Sequence, residues 1–357
     1  MKDFSSNYKN ILVYYFSGTG NAKFAAEEIA LLAEKKGVSA KVIKLVDEKP
    51  DLSVTDENTL IGFCYPTHGF NAPPVVLKYI VKFPKGKSDI FLLNTRAGMK
   101  LFKFQTPGLG GMALWLPAII LKFKGYKIRG FRPLDMPSNW ITIHPGLIKS
   151  AVNFIAEKCK ITLSKFTNRI LLRKRVLSGF FWLPVDIMLF PISIGYYFFG
   201  RFALAKTLFA SYKCNNCGIC IEKCPVNAIS MKNRRPYWSF KCESCMQCIN
   251  NCPKRAIESS IGINAIVWWL VFSLVPHSLI GYLVDQQVIS KGFYLQYSRL
   301  IFYIIMVVSG FALLFSGYWI LHQLLRIKLF NRIITVTSLT HFKFWNRYMY
   351  RSKKEVE

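Results

Sequence analysis

The sequence predicts three structural parts: a doubly wound α/β domain with a parallel sheet, a small α+β module rich in cysteine, and a C-terminal pair of transmembrane helices. Strand-like and helix-like segments alternate over the first part of the chain. Eight of the ten cysteines lie in two runs of identical spacing, and two long stretches near the C-terminus carry no charge. We predict domains at residues 1–165, 173–206, 210–260, 261–326 and 327–357.

The α/β domain is predicted from continuously apolar runs such as "ILVYYF" (11–16) and "TLIGFCYP" (59–66). Such runs are typical of strands buried on both faces of a parallel sheet. Helical patterns follow them, as in "FAAEEIALLAEKKG" (24–37), which ends at a glycine. Strands that alternate with helices in this way indicate a doubly wound sheet.

A glycine-rich turn, "SGTGNA" (17–22), joins the first strand to the first helix. The backbone N–H groups of such a turn form an anion site at a helix N-terminus. The turn lacks the third glycine of the dinucleotide fingerprint and the lysine of a P-loop. From these residues alone, an ordinary strand-to-helix turn remains an equal alternative.

The segment 173–206 is apolar but contains Pro184, Asp186, Pro191 and Gly195. A charged residue at the centre of a spanning helix costs about 2.5–3.5 kcal/mol, and both flanks of the segment are basic. We therefore predict a re-entrant or interfacial hairpin. A single crossing and packing against the other two apolar helices stay open as alternatives.

Two uncharged stretches, 261–284 and 300–325, are each long enough as helices to span the hydrocarbon core of about 30 Å. Basic residues dominate the tail after residue 326, which the positive-inside rule assigns to the cytoplasm. The chain is thus predicted to be a multi-pass protein of the cytoplasmic (inner) membrane, with its other domains in the cytoplasm. His277 and His322 lie in these stretches. We expect them to form hydrogen bonds, with haem ligation as the alternative.

The formal net charge is +29, from 48 Lys and Arg against 19 Asp and Glu, and the excess is spread along the whole chain. A basic surface attracts acidic partners. No nucleic-acid recognition motif is present, so we expect membrane lipid and a redox partner, either a protein or a small electron acceptor, and no nucleic acid.

Each cysteine run has the pattern Cys-x2-Cys-x2-Cys-x3-Cys-Pro, first from Cys214 to Pro225 and again from Cys242 to Pro253. Disulfides need an oxidising compartment, whereas this segment is predicted to be cytoplasmic. Structural zinc commonly uses two pairs of closely spaced ligands. The pattern is instead that of bacterial proteins with two [4Fe–4S] clusters. Cys64 and Cys159 are expected to be ordinary buried thiols.

In that pattern the fourth cysteine of each run ligates the other cluster. The predicted metal ligands therefore form two crossed sets. One set is Cys214, Cys217, Cys220 and Cys252, and the other is Cys242, Cys245, Cys248 and Cys224.

The stretch "FSGTGNAK" resembles the phosphate loop of flavodoxins, and "GFCYPTHGFNAPP" and "NTRAG" resemble the second and third flavin loops. This resemblance implies a flavodoxin-like fold and an FMN site. Tyr65 would stack on the flavin ring, and His68 would be a hydrogen-bonding loop residue more readily than a catalytic acid. The second stacking aromatic stays open. The implied FMN-binding residues are Ser17, Gly18, Thr19, Gly20, Asn21, Ala22, Tyr65, Thr67, His68, Gly69, Thr95, Ala97 and Gly98.

The order of the two parts, about residues 1–260, resembles the EFR1-type family of flavodoxin–ferredoxin fusion proteins, and "MPSNW" (136–140) resembles that family's stretch after the last strand. The membrane segments depart from that family. The resemblance implies an iron–sulfur flavoprotein, an electron-transport protein or oxidoreductase with no assigned catalytic residue. The alternative is a non-catalytic membrane-bound ferredoxin module whose flavodoxin-like domain is an empty docking surface.

Overall fold

The N-terminal domain contains a parallel sheet with helices on both faces. The computed structural model describes residues 6–47, 57–288 and 290–350. Its strands are β1 (Asn10–Tyr15), β2 (Ser39–Lys44), β3 (Thr59–Pro66), β4 (Asp89–Leu101), β5 (Phe104–Thr106) and β6 (Lys127–Pro137). Strands β2, β1, β3, β4 and β6 pair in that order and all in parallel, while β5 forms a hairpin with the end of β4. This is the strand order of flavodoxin-like sheets, so the predicted doubly wound fold is confirmed.

Four helices cover the sheet: α1 (Asn21–Glu34), α2 (Pro74–Lys82), α3 (Trp115–Phe123) and α4 (Lys149–Leu171). Helices α1 and α4 share one apolar core with the sheet, and α2 and α3 share the other. Because successive strand side chains alternate between faces, the apolar runs fill both cores. Helix α4 extends past residue 165, where we expected this domain to end.

The apolar hairpin (178–205) follows. It comprises a 3₁₀ turn (Ser178–Trp182), α5 (Leu183–Met188), α6 (Phe190–Gly195), a π-helical turn (Tyr196–Gly200) and α7 (Arg201–Ala205). Its two halves are bent by 77°, and Pro184 and Pro191 stand at the starts of α5 and α6. Asp186 is buried and accepts a hydrogen bond from Trp115 Nε1 at 2.8 Å. The aspartate therefore points into the flavodoxin-like domain, which explains its place in an apolar segment.

The cysteine-rich module is built from two similar halves. Its elements are β7 (Leu208–Ala210), α8 (Ile219–Glu222), β8 (Ile229–Lys232), β9 (Arg235–Trp238), α9 (Gln247–Asn251) and β10 (Ile257–Ser259). Strands β7 and β10 pair antiparallel, as do β8 and β9. Each half thus has a strand, a cysteine loop with a short helix, and a second strand.

The next helices are α10 (Ile261–Trp269), α11 (Val275–Asp285) and α12 (Lys291–Leu324), with a π-helical turn (Leu270–Leu274) between the first two. Among the described residues one helix, Gly292–Leu324, is long and apolar enough to cross a membrane by length and composition, or two if the bent hairpin counts as a span. The predicted pair of spanning helices is therefore not confirmed. Helix α11 packs on α12, where the rings of His277 and Phe302 are 5.6 Å apart.

The C-terminal segment is folded onto the rest of the protein. Helix α13 (Lys328–Val336) and a 3₁₀ turn (Leu339–His341) lead into a strap, defined here as residues 342–350. The strap contacts both domains: Arg347 Nη1 donates to Ile249 O of the cysteine-rich module at 2.8 Å, and the N–H of Tyr350 donates to Thr19 O of the flavodoxin-like domain at 2.9 Å. The part of the predicted basic tail that is described here is therefore a packed element.

Candidate functional site

The first cysteine set surrounds one cavity in the cysteine-rich module. Cys214, Cys217 and Cys220 approach it from the loop before α8 and from α8 itself, and Cys252 approaches from the end of α9. Gly218, with φ +77°, turns the chain into α8 between the second and third cysteines. The four side chains of this set therefore share one cavity, and their role as cluster ligands stays a prediction.

The second cysteine set is Cys242, Cys245, Cys248 and Cys224. Burial raises the pKa of the Cys242 thiol to about 12, and Cys224 lies near enough to interact with it electrostatically. Cys224 is also an electrostatic neighbour of Cys245 and Cys248. Met246, with φ +61°, lies in the second half at the position equivalent to Gly218 in the first half.

The two crossing cysteines have matching surroundings. The N–H of Ala228 donates to Cys224 Sγ, and the N–H of Ala256 donates to Cys252 Sγ, each at 3.2 Å. Such N–H···S bonds stabilise thiolate charge and help to set the potential of a cluster.

The donor set favours a cluster over a single ion. All ten cysteines are free of disulfides. Among the described residues, no group of three or more His, Cys, Asp or Glu side chains is arranged to hold one metal ion. Four thiols nevertheless share a cavity, and a cubane spreads its thiolates over several irons, whereas zinc draws four ligands to one point. Cys64 and Cys159 are buried elsewhere, as expected.

A second cavity, the junction cavity, lies between the flavodoxin-like domain and the second cysteine set. It encloses about 110 Å³ and is open to solvent on one side. Ser244, Cys245 and Met246 form its wall on the cysteine-rich side, and Trp140 and Tyr196 also line it. Of the residues implied by the flavodoxin resemblance, those lining the cavity are Thr19, Asn21, Thr67, His68, Thr95 and Ala97.

Four buried polar atoms around this cavity have no hydrogen-bond partner among the described residues. They are Asn21 Oδ1, His68 Nδ1, Asn139 Oδ1 and Ser244 Oγ. Leaving a buried polar atom unpaired costs about 1–3 kcal/mol, so such atoms indicate a missing ligand or water. All four residues line this cavity, so a polar ligand or water bound there would supply partners for these atoms.

His68 connects the two sides of the junction. Burial lowers its pKa to about 4, so the ring is neutral near pH 7, and a hydrogen bond to the backbone of Glu243 opposes that shift. Glu243 lies between two cysteines of the second set, and burial raises the pKa of its carboxyl to about 7. His68 is thus a hydrogen-bonding loop residue of this structure.

The glycine-rich loop (17–22) keeps donors free for an anion. Within the described residues, no acceptor is found for the N–H groups of Gly18, Thr19 and Asn21, while Ser17 Oγ accepts from Gly20 N at 3.0 Å. The loop is also tightly packed. A Cβ at Gly18 would lie 2.0 Å from Cys245 O, and one at Gly20 would lie 2.5 Å from the strap at Tyr350 O.

Several implied FMN residues do not line the cavity. Tyr65 is fully buried and its hydroxyl donates to Ala113 O at 3.1 Å, so the expected ring stacking is wrong. It follows Phe63 on the α2–α3 face of β3, because side chains two apart share a face. Ala22 is also fully buried. The other residues outside the lining are Ser17, Gly18, Gly20, Gly69 and Gly98.

The aromatic residues at the cavity are Trp140 and Tyr196, with ring centroids 6.3 Å apart. Neither was assigned from the sequence, although Trp140 ends the "MPSNW" stretch that was singled out. Tyr196 comes from the apolar hairpin and packs on Gly69 in the second loop. No local sequence signal could have placed a hairpin residue at this site.

A family model matches part of the chain, and solved structures resemble it at low identity. Residues 213–257 match the family described as 4Fe-4S dicluster domain. Similar solved structures include a flavodoxin from the domain Archaea (18% identity, TM-score 0.31, covering 45% of this chain and 98% of that one) and oxidised flavodoxin 1 of Bacillus cereus (16%, 0.31, 44% and 96%). Another is rubredoxin oxygen:oxidoreductase of Desulfovibrio gigas (14%, 0.29, 47% and 37%). No curated protein matches the chain. Residues 213–257 are therefore similar to a 4Fe-4S dicluster domain, and they follow the parallel sheet described above.

Proposed function

We propose that this protein is a membrane-anchored electron-transfer flavoprotein in which two [4Fe–4S] clusters exchange electrons with FMN bound in the junction cavity. One observation carries the proposal: Cys245 of the second cysteine set and Thr19, His68 and Thr95 of the flavodoxin-like domain line the same cavity. A cofactor in this cavity would lie against a cluster ligand, and a short distance favours electron transfer between them.

The roles of the surrounding residues follow from their chemistry. The free N–H groups of Gly18, Thr19 and Asn21 suit a phosphate at the start of α1. Trp140 and Tyr196 offer apolar surface for a ring system, and the unpaired polar atoms offer partners for its polar edge. When bound, FMN supplies a centre that accepts one or two electrons, which links the single-electron clusters to hydride-level chemistry.

Membrane anchoring is supported by two features. Helix α12 is apolar over a membrane-spanning length. The apolar hairpin exposes Phe181 (81%) and Met188 (78%) and packs on α12, where the rings of Phe199 and Phe311 are 5.5 Å apart. A surface this apolar is typical of an interfacial segment. The positive-inside rule favours a cytoplasmic location for the basic segments and the domains beside them.

A second candidate function is a membrane-bound electron carrier that uses only its clusters. The strap supports it, because Tyr350 bonds to Thr19 and packs against Gly20 in the loop that would hold the phosphate. Ala22 also supports this second candidate, because it is buried and stands where the phosphate loop of flavodoxins usually has the hydroxyl of Thr or Ser. In this case the flavodoxin-like domain is a docking surface.

Anaerobic purification followed by iron and flavin analysis tests the proposal. We expect about eight irons and one FMN per chain. Trp140→Ala should release FMN and leave the iron content unchanged, whereas Trp319→Ala, an exposed site on α12, should change neither. Iron without FMN supports the second candidate, and zinc in place of iron contradicts both.

A further inference from the structure

A groove on the flavodoxin-like domain, the lateral groove, has no role in the proposed electron path. Its wall includes Ile119 of α3, Ile128 and Phe131 of β6, and Phe180 of the apolar hairpin. The groove has a volume of about 420 Å³ and is open to solvent. None of its lining residues belongs to the junction cavity or to either cysteine set.

The wall of the lateral groove is fixed by aromatic packing. Trp115 contacts Phe131 and Phe180 with ring centroids 4.8 and 4.9 Å apart. The indole N–H of Trp115 is held by Asp186 at 2.8 Å. This arrangement is preformed, and it leaves Ile119 and Phe180 about half exposed, at 45% and 50%.

The polar residues of the lateral groove are cationic. Lys122, Lys127 and Arg175 line it, and no Asp or Glu does. Within the described residues, Lys122 and Arg175 form no ion pair, and Lys127 has only an exposed one with Glu57 at 3.4 Å. An exposed pair of this kind contributes little. Three positive charges beside an apolar wall match an amphiphile with an anionic head.

The apolar hairpin links the groove to the expected bilayer surface. Phe180 belongs to both, and the next residue, Phe181, is largely exposed. On α3, Phe123 lies one turn after Ile119 and is 86% exposed. The exposed apolar surface of the hairpin therefore continues to the groove.

We propose that the lateral groove binds one anionic phospholipid, with its phosphate at Lys122, Lys127 and Arg175 and an acyl chain along the aromatic wall. Anionic lipids attract basic side chains near a membrane surface. A neutral quinone would not need three cations, and it would lie apart from every redox residue described above. The inference rests on the membrane association in the proposed function and is independent of FMN.

The test uses the full-length protein, purified anaerobically and reconstituted in phosphatidylcholine vesicles that contain a small fraction of phosphatidylglycerol with a diazirine on its acyl chain. After illumination, mass spectrometry locates the label. We expect labelled peptides from 115–131 and 175–182, together with α12 as an internal reference for membrane insertion. Diazirine-bearing phosphatidylcholine of the same chain length should label α12 equally and the groove weakly.

Charge removal provides the second measurement. The combined variant Lys122→Gln, Lys127→Gln and Arg175→Gln should lose groove labelling by about fivefold for each charge removed. The matched variant Lys35→Gln, Lys82→Gln and Lys85→Gln removes the same charge from exposed sites outside the groove and should label like wild type.

Each outcome decides between the alternatives. Equal groove labelling by the two lipids, or no loss in the groove variant, overturns the proposal and leaves only an apolar surface. Displacement of the label by a short-chain quinone but not by unlabelled phosphatidylglycerol also overturns it. Label on α12 alone overturns lipid binding in the groove but supports membrane association. No label on α12 or on the groove overturns both the lipid site and the membrane association.

Discussion

Gly18 provides a direct test of the contact between the glycine-rich loop and the second cysteine set. A Cβ at this position would lie 2.0 Å from the carbonyl oxygen of Cys245 and 2.7 Å from its Cβ, whereas ordinary contact begins at 3.4 Å. The Gly18→Ala variant must therefore push the two loops apart by about 1.4 Å. Overpacking of this kind costs about 1–3 kcal/mol. This corresponds to a roughly 5- to 150-fold shift toward an open junction.

Hydrogen exchange measures this opening in the anaerobically purified protein. Peptides covering residues 242–248 should exchange faster in the Gly18→Ala variant, by a factor within that range, and FMN should be retained less well. Gly195→Ala is the matched control, because its added Cβ meets nothing within 4 Å and its φ is −57°. If the Gly18→Ala variant exchanges like wild type, the two loops are not packed and the main support for the proposed function is lost.

Three further predictions concern the cysteines, the strap and pH. Cys252→Ser should lower the iron content by about half, with Cys64→Ser unchanged, as measured by metal analysis. Arg347→Met should reduce the free energy of unfolding in urea by about 3–5 kcal/mol, because it breaks a buried ion pair with Glu258 at 3.1 Å; a change below 1 kcal/mol would contradict this. Buried His68 should contribute a loss of stability as the pH falls from 6.5 to about 4, because its ring stays neutral while the unfolded chain takes up a proton. The carboxyl of Glu243, with its pKa raised to about 7, contributes in the opposite direction over part of this range, so the check is the difference between variants: in a pH series of unfolding curves, wild type should lose stability relative to His68→Gln between pH 6.5 and about 4.

The features that could be predicted from the sequence are those encoded within short stretches. Continuous apolar runs such as 11–16 and 59–66 indicate a strand that is buried on both faces of the sheet. This signal lies within a few neighbouring residues, and the structure has strands at both places. The cysteine spacing encodes a repeated loop, and the structure has two similar cysteine loops, the first of which shares a cavity with Cys252. In both cases a few neighbouring residues determine the geometry.

The features that escaped prediction depend on contacts between distant residues. Tyr65 lies in a strand that is apolar on both faces from residue 60 onward, so nothing in the sequence says which face turns to the cavity. Tyr196 and Tyr350 reach the site from segments 127 and 331 residues away, counted from Gly69 and Thr19. From composition, the segment that contains Tyr196 is predicted to lie at the membrane, and the segment that contains Tyr350 is predicted to be a basic tail. Both segments also pack on the folded domains.

The two cysteine sets differ in their surroundings, and this difference bears on the proposed electron path. Cys217 of the first set is exposed, and Lys213 and Lys254 beside that set are exposed as well. The second set faces the junction cavity, and on its other side Lys206 is enclosed by aromatic rings that include Tyr318 of α12, at 4.3 Å. A protein partner can therefore approach the first set most closely, while the second set is reached through the interior. In the proposed function, the first cluster is then the contact point for an acidic redox partner, and the second cluster relays electrons to and from the flavin.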